Sequence, residues 1–330
     1  MVDTSVARPP ITSYSPNMWE DTINSFFVDE KVQENYAETI KQLKEEVRNL
    51  LMSEENNTTT EKITLIDTIE RLGVGYHFEE EIEKHLEQIY KYHHLNSQEY
   101  DLFTTALQFR LLRQHRYNIP CDVFDKFKDK SNDDKFDEKF TSDAKGLLSL
   151  YQAAHLRMHG ENILEEALAF TTHHLNRMLP QLVSPLRDEV KQALEQPVHK
   201  GIPRMEAQKY ISIYEINHDA KNDMILKLAK LDFNFLQNMY KKELILLMKK
   251  TSKVISLQRG SIPLLPSLET FGAFQRDVTS HLRETSSLPS RKFGLENHPQ
   301  PIGETYHFSY LKSNFEKGSL VKPITIPVEA

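Results

Sequence analysis

The chain has 330 residues, 39% of them hydrophobic and 27% charged, with a net charge of −7 at pH 7; that length can bury a sizeable core, and the acidic balance argues against a nucleic-acid binder, which needs a basic face. Its one cysteine, Cys121, excludes a disulfide framework and fits a reducing compartment. The sequence contains no apolar run long enough to span a membrane, and Met1–Pro10 lacks the Arg- and Ser-rich composition of a transit peptide, so the expectation is a cytosolic protein with no membrane partner.

Taken in chain order, the sequence reads as helix after helix. Residues 33–52 place Ile40, Leu43, Val47, Leu50 and Leu51 on one face. Residues 62–92 repeat that pattern and are broken at Gly73-Val74-Gly75. Asp101 to Gln114 brings Leu102, Phe103, Ala106, Phe109 and Leu112 to one side at three-to-four spacing. Ser142 or Asp143 is a candidate cap for the helix that carries Leu147, Leu148, Leu150, Tyr151 and Ala154, with Gly160 as its stop and a new helix from Glu161 to about Met178. Pro180 and Pro185 frame a turn. Short helices are predicted over 186–195 and 204–215, and a long one from Asn222 to about Lys250. Sustained alternation and hairpin dipeptides are nearly absent. The predicted class is all-α, a helical barrel or bundle with short connections, and no fixed repeat points to a solenoid.

Near residue 250 the regime changes. Residues 251–330 carry nine Lys and Arg against seven Asp and Glu, with seven of the fifteen prolines and five of the ten glycines. Ser286 to Gly303 is rich in Ser, Pro and Gly and reads as a linker or disordered segment. The expected organisation is an arm over residues 1–20, a helical domain over 21–248 and a disordered tail over 249–330.

Five blocks, in order, resemble the N-terminal domain of plant class I terpene synthases. They are Leu65 to Ile82, with Arg71-Leu72-Gly73-Val74-Gly75-Tyr76-His77-Phe78 at its centre; Phe109 to His115 with Cys121-Asp122-Val123-Phe124; Gly146 to Leu156, continuing through His159-Gly160-Glu161; Pro203 to Ala207 with Tyr210 and Tyr214; and Leu228 to Gln237, continuing through Glu243-Leu244. The resemblance stops at about residue 245, where Ile245-Leu246-Leu247-Met248 stands in place of the Trp-Trp start of the family's next domain, and Trp19 is the only tryptophan. Arg8-Pro9 followed by Trp19 resembles the arm that family members fold over the active-site mouth; with Arg-Pro in place of paired arginines, the chain is most similar to sesquiterpene-forming members.

In intact members the resemblance implies ionisation of a prenyl diphosphate, farnesyl diphosphate for this type. Mg2+ or Mn2+ is held there by an Asp-Asp-x-x-Asp helix and a second Asn/Asp-rich motif. Both motifs belong to the domain for which this chain has no matching residues. The expectation is therefore a truncated member, inactive alone, with no cofactor of its own, no catalytic residues and a prenyl diphosphate substrate only where a catalytic domain is supplied. The competing expectation is a non-catalytic helical module that docks on an intact synthase.

A literal Asp-Asp-x-x-Asp occurs at Asp133, Asp134 and Asp137, but in the polar stretch Lys126 to Lys139 between helices, with no partner motif at helical distance. It reads as a solvated charge run, not a ligand set. His93-His94 and His173-His174 are adjacent pairs whose members point different ways on a helix. His155 and His159 sit four apart without the Glu of an HExxH site. Cys121, with His115 nearby, reads as a half-buried thiol.

Overall fold

In a computed structural model, the described residues are 23, 25–53, 58–96, 100–129, 135–198, 200–217 and 221–259, with the side chains of 93–96 and 248–259 excepted. The arm and nearly all of the tail expected above lie outside them. Among the described residues the helices of at least two turns are α1 (Glu30–Met52), α2 (Thr59–Arg71), α3 (Glu79–Asn96), α4 (Leu102–Gln114), α5 (Ala144–Ala154), α6 (Asn162–Met178), α7 (Leu186–Glu195), α8 (Pro203–Glu215) and α9 (Asp223–Arg259). The fold is all-α, as the periodicity predicts, and the one sheet among the described residues is a ribbon of two residues a side, β1 (Lys128–Asp129) against β2 (Lys135–Phe136).

Several helices begin where the sequence supplies a side-chain oxygen for the free amides of the first turn. Asp29 caps α1 by accepting from the amides of Lys31 and Val32. Thr58 and Glu61 form a reciprocal capping box on α2: the Glu61 amide donates to Thr58 Oγ1 at 3.2 Å and the Thr58 amide donates to Glu61 Oε2 at 2.7 Å. Asp101 caps α4 and Asp143, not Ser142, caps α5, each accepting from the amide three residues on at 2.8 and 2.9 Å. Pro203 opens α8, where no amide is needed.

α2 ends in a Schellman turn: Gly73 at φ 79° donates to the Glu70 carbonyl, Val74 donates to the Ile69 carbonyl, and the Val74 side chain is fully buried. A Cβ on Gly73 would lie 2.8 Å from the Ala207 Cβ of α8, so this position needs glycine for its conformation and for its space. Gly160 also has positive φ, at 89°, but its missing Cβ faces open space.

Two expectations need correction. The helix carrying Leu147 stops at Ala154, six residues before Gly160, because the amides of Leu156 and Arg157 turn back to the carbonyls of Ala153 and Ala154 in tight three-residue steps. The stretch from Lys126 to Lys139 is not merely a solvated charge run. Phe127 and Phe136 are buried, and Phe136 stacks on Phe170 of α6 with ring centroids 5.6 Å apart, so aromatic burial brings the two ends together as a ribbon.

The contacts divide the chain into two compact units, one holding Asp29–Gln237. Its main core is built from Ile63, Ile66 and Ile69 of α2, Phe78, Ile82 and Leu86, Phe109 and Leu112 of α4, Phe124, and Leu228 and Leu231 of α9. A smaller cluster joins Leu147, Leu148 and Tyr151 of α5 to Leu175 of α6 and Val190 of α7. In the other unit Phe26 lies under the Lys241 ammonium, 5.9 Å from the ring centre, and burial pushes that ammonium below the usual lysine range.

Buried and partly buried arginines tie the first unit together. Arg110 of α4, the largest fully buried side chain, pairs with Asp67 of α2 and donates to Gln114 Oε1 at 2.8 Å. Arg71 of α2 lies 3.3 Å from Glu189 of α7, with its guanidinium 3.8 Å from the ring centre of Tyr210 of α8. Arg113 of α4 grips Glu161 with two bonds of 2.5 and 2.6 Å and donates to the Ile119 carbonyl at 2.7 Å, fixing the turn before α6. That guanidinium holds the Glu161 carboxyl below the usual carboxylate range.

Urea unfolding checks two consequences. Phe78→Ala removes a fully buried ring and is expected to cost about 3–5 kcal/mol, whereas Val183→Ala, 76% exposed, is expected to change stability by no more than about 0.5 kcal/mol. Gly73→Ala and Gly160→Ala each meet the left-handed penalty of about 1–2 kcal/mol, but only Gly73→Ala adds an overlap with α8. The first is therefore expected to be clearly the more destabilising.

Candidate functional site

The most concentrated polar chemistry in the helical unit surrounds Asp232, at the first Schellman turn. Asp232 is 1% exposed and sits on a stretch of α9 that buries Leu228, Leu231 and Phe233 together with the polar Lys230 and Asn234. Three side chains converge on it. The Tyr76 hydroxyl donates to Oδ1 at 2.5 Å, His77 Nε2 lies 2.9 Å from the same oxygen, and Arg204 Nη1 of α8 lies 3.4 Å from Oδ2. Arg204 also reaches the Gly73 carbonyl at 3.4 Å, and its guanidinium carbon is 5.6 Å from the centre of the Tyr76 ring.

Local structure explains this meeting. Gly73 reverses the chain after α2, and the one-turn 3-10 helix Gly75–His77 then aims two consecutive polar rings at α9, their centroids 3.9 Å apart. Burial, and after it the neighbouring carboxylate, pushes the Tyr76 phenol far above its usual range, so it stays a donor. A buried carboxylate with three such contacts is satisfied: they take three of its roughly four lone-pair sites, and the packed helices leave an incoming group no approach to it. The cluster is a fastener for α9, not a reactive site.

The sequence-predicted candidates do not come together. Arg8, Trp19, Asp133 and Asp134, with the side chains of His93 and His94, lie outside the described residues. Asp137 is a helix cap: its Oδ1 accepts from the Lys139 amide at 2.9 Å and its Oδ2 lies 2.8 Å from Lys139 Nζ, contacts that lower its carboxyl below the usual range. His155 ends α5 with its ring edge-on to Tyr151 at 4.6 Å, and burial depresses it to about 4. His159 is exposed. The rings of His173 and His174 stand nearly perpendicular, at 88°. Cys121 is half-buried, and burial raises its thiol, the opposite of nucleophile activation.

Among the described residues no three His, Cys, Asp or Glu side chains converge to hold a metal ion. Asp137 is spent on its cap, and the deeper carboxylates are spent on arginines. The described residues therefore do not fit the magnesium cluster that the resemblance implies for intact family members. Among them, also, no helix is long and apolar enough to cross a membrane.

Sequence reasoning read Gly73–Phe78 and Leu228–Gln237 as packing blocks and missed the polar cluster between them. The available signal was Asp232 itself, a carboxylate within a helix stretch whose Leu228, Leu231 and Phe233 are core residues.

Comparison with known proteins gives the lineage of this architecture. The family model described as "Terpene synthase, N-terminal domain" matches residues 18–194. The chain is 52% identical over 238 residues to gamma-cadinene synthase of Ocimum basilicum, covering 72% of this chain and 42% of that enzyme. It is likewise 52% identical over 240 residues to gamma-curcumene synthase of Pogostemon cablin, with the same shares of 72% and 42%. Among solved structures, isoprene synthase from grey poplar (Populus x canescens), crystallised with three Mg2+ ions and dimethylallyl-S-thiolodiphosphate, superposes with a TM-score of 0.61 at 36% identity, covering 67% of this chain and 41% of that one. The chain thus spans about two fifths of the length of these relatives. The matched family span takes in more than half of its residues, and the chain belongs to the terpene synthase family.

Proposed function

We propose that this chain provides the N-terminal helical domain of a sesquiterpene-forming terpene synthase, a scaffold that carries no ionisation chemistry of its own. The observation that supports this most directly is the state of its inward-facing carboxylates. Asp67, Glu161, Glu189 and Asp232 each face an arginine, Arg110, Arg113, Arg71 and Arg204 in turn. Diphosphate departure requires metal ions or cations poised where charge develops, together with a dry pocket that keeps water from the cation. Here the cations are neutralised and the acids are consumed in helix-to-helix links. Mg2+ or Mn2+ and a prenyl diphosphate belong, on this reading, to a catalytic domain that this one supports. The substrate class follows from the similarity to the two synthases above.

The full chain incubated with labelled farnesyl diphosphate and Mg2+ is expected to release no hydrocarbon above a boiled-protein control. A chimera carrying the catalytic domain of a related synthase after Glu243 is expected to release sesquiterpene. Product from the native chain would overturn the scaffold reading, and a folded chimera that makes none would overturn the assignment to a sesquiterpene-forming enzyme.

A further inference from the structure

α4 ends in a second Schellman turn, built differently from the one at Gly73. The Arg116 amide donates to the Arg113 carbonyl at 3.0 Å and the Tyr117 amide donates to the Leu112 carbonyl at 2.9 Å. The left-handed position between them holds Arg116 at φ 69°, not glycine. An L-residue there costs about 1–2 kcal/mol, so contacts on either side must hold the turn in place.

Those contacts are His115 and Tyr117. His115 Nε2 lies 2.6 Å from Glu70 Oε1 of α2, and His115 Nδ1 lies 3.6 Å from Glu83 Oε2 of α3. The Tyr117 hydroxyl donates to the other Glu83 oxygen at 2.9 Å, and the Tyr117 ring packs against Tyr90 of α3 at 4.9 Å. The carboxylates are on opposite sides of the imidazole, so they cannot share a metal ion with it. A neutral imidazole has one N–H and one lone pair. Whichever nitrogen carried the lone pair would then face a carboxylate, acceptor against acceptor. Only the imidazolium presents an N–H to both carboxylates, as a hydrogen bond to Glu70 and an ion pair with Glu83. His115 also occupies the C-cap of α4, where the helix dipole favours positive charge.

We propose that His115 is a proton-operated clasp joining α2, α3 and α4: protonated, it bridges Glu70 and Glu83 and holds the strained Arg116 turn shut; deprotonated, it gives up one of the two carboxylates.

The charged and titratable groups around the ring all act in one direction or stand aside. From α2 the facing group is Glu70 and from α3 it is Glu83, with Glu87 acting on Tyr117 beyond it. On its own segment, Arg113 is turned away onto Glu161, Arg116 follows in the turn, and the Tyr117 phenol, pushed up to about 12, stays protonated throughout the neutral range. Burial opposes charge on His115, but the hydrogen bond and the fields of the two glutamates outweigh it and raise the ring above the usual histidine range.

The sign follows from linkage. A group held more tightly protonated in the folded state contributes stability that is complete below the unfolded value, about 6.5, and is lost as pH rises through the folded value. His85, His155 and His174 are shifted the other way, so their contributions are lost below about pH 6.5, outside this window.

The test uses the full chain with 13C-labelled histidine. NMR titration, with the His115 resonance assigned by its loss in His115→Gln, is expected to give a midpoint above 6.5, which Glu70→Gln and Glu83→Gln each lower. Urea unfolding of the wild type relative to His115→Gln is expected to lose stability as pH rises through that midpoint, about tenfold in the folding constant for each pH unit by which the midpoint is raised. Should His115→Gln not fold, sequential assignment identifies the resonance and the two glutamine variants carry the reading. A midpoint at or below the ordinary histidine value, or one unchanged in both glutamine variants, overturns the clasp.

Discussion

The helical unit depends on one constraint: α2 must keep both an apolar and a charged face inside the protein. Its isoleucines at 63, 66 and 69 are all but fully buried. Its other inward positions are Asp67, Glu70 and Arg71, which pair with Arg110, His115 and Glu189 from α4, the end of α4 and α7. Taking such charges out of water costs several kcal/mol per ion, and a buried pair regains that only with good geometry on both partners. Each pairing therefore says little about gross stability and much about arrangement. Helices α4, α7 and α8 can approach α2 only in positions that neutralise these charges, since any slip would leave an uncompensated ion inside.

The same logic repeats one layer out. Once Arg71 has fixed Tyr210 of α8, the neighbouring Arg204 is presented to Asp232 of α9. Gly73 permits the close approach that puts α8 there, because any side chain at that turn would meet Ala207. Charge pairing on α2, close packing at Gly73 and the three-donor seat of Asp232 are consecutive links, each setting the geometry of the next. A scaffold built this way has a defined shape without a reactive centre, because the groups that could do chemistry are used in holding the helices.

Much of this was legible in the sequence, and the failures have physical causes. Helix positions followed from apolar periodicity and from candidate caps such as Ser142 or Asp143, both of them local signals. The family resemblance rested on five ordered blocks, and the comparison with known relatives agrees with it. Phe127 and Phe136 were passed over because the charges around them dominate local composition, while their burial is decided by Phe140 and Phe170, the latter thirty-four residues beyond Phe136. The Asp232 seat was missed for the same reason: its donors come from residues 76, 77 and 204, and no window of sequence contains them together. Conversely, Asp133-Asp134-x-x-Asp137 is a motif by spelling, but its last member works as a cap. Spacing alone does not tell a ligand from a cap until the backbone around it is known.

The polar links also differ in how they respond to protons. Arginine, which supplies most of these links, is a side chain that keeps its charge at any physiological pH. The Tyr76 and Tyr210 phenols are both driven upward by burial and remain protonated. The Glu161 carboxyl is pulled down by Arg113 and remains an anion. These links are locked in one protonation state across the neutral range, so the α2–α7–α8–α9 side of the unit offers little for pH to act on through them. Histidine is the side chain whose ordinary range lies near neutrality. Among the described residues, burial pushes His85, His155 and His174 below that range while His115 is held above it, and His115 adjoins the turn where Arg116 occupies a left-handed position. At the α2–α3–α4 corner the same pairing of buried charge thus falls on a histidine beside a strained turn, where the neutral range can act on it, whereas the arginine and tyrosine links keep one protonation state.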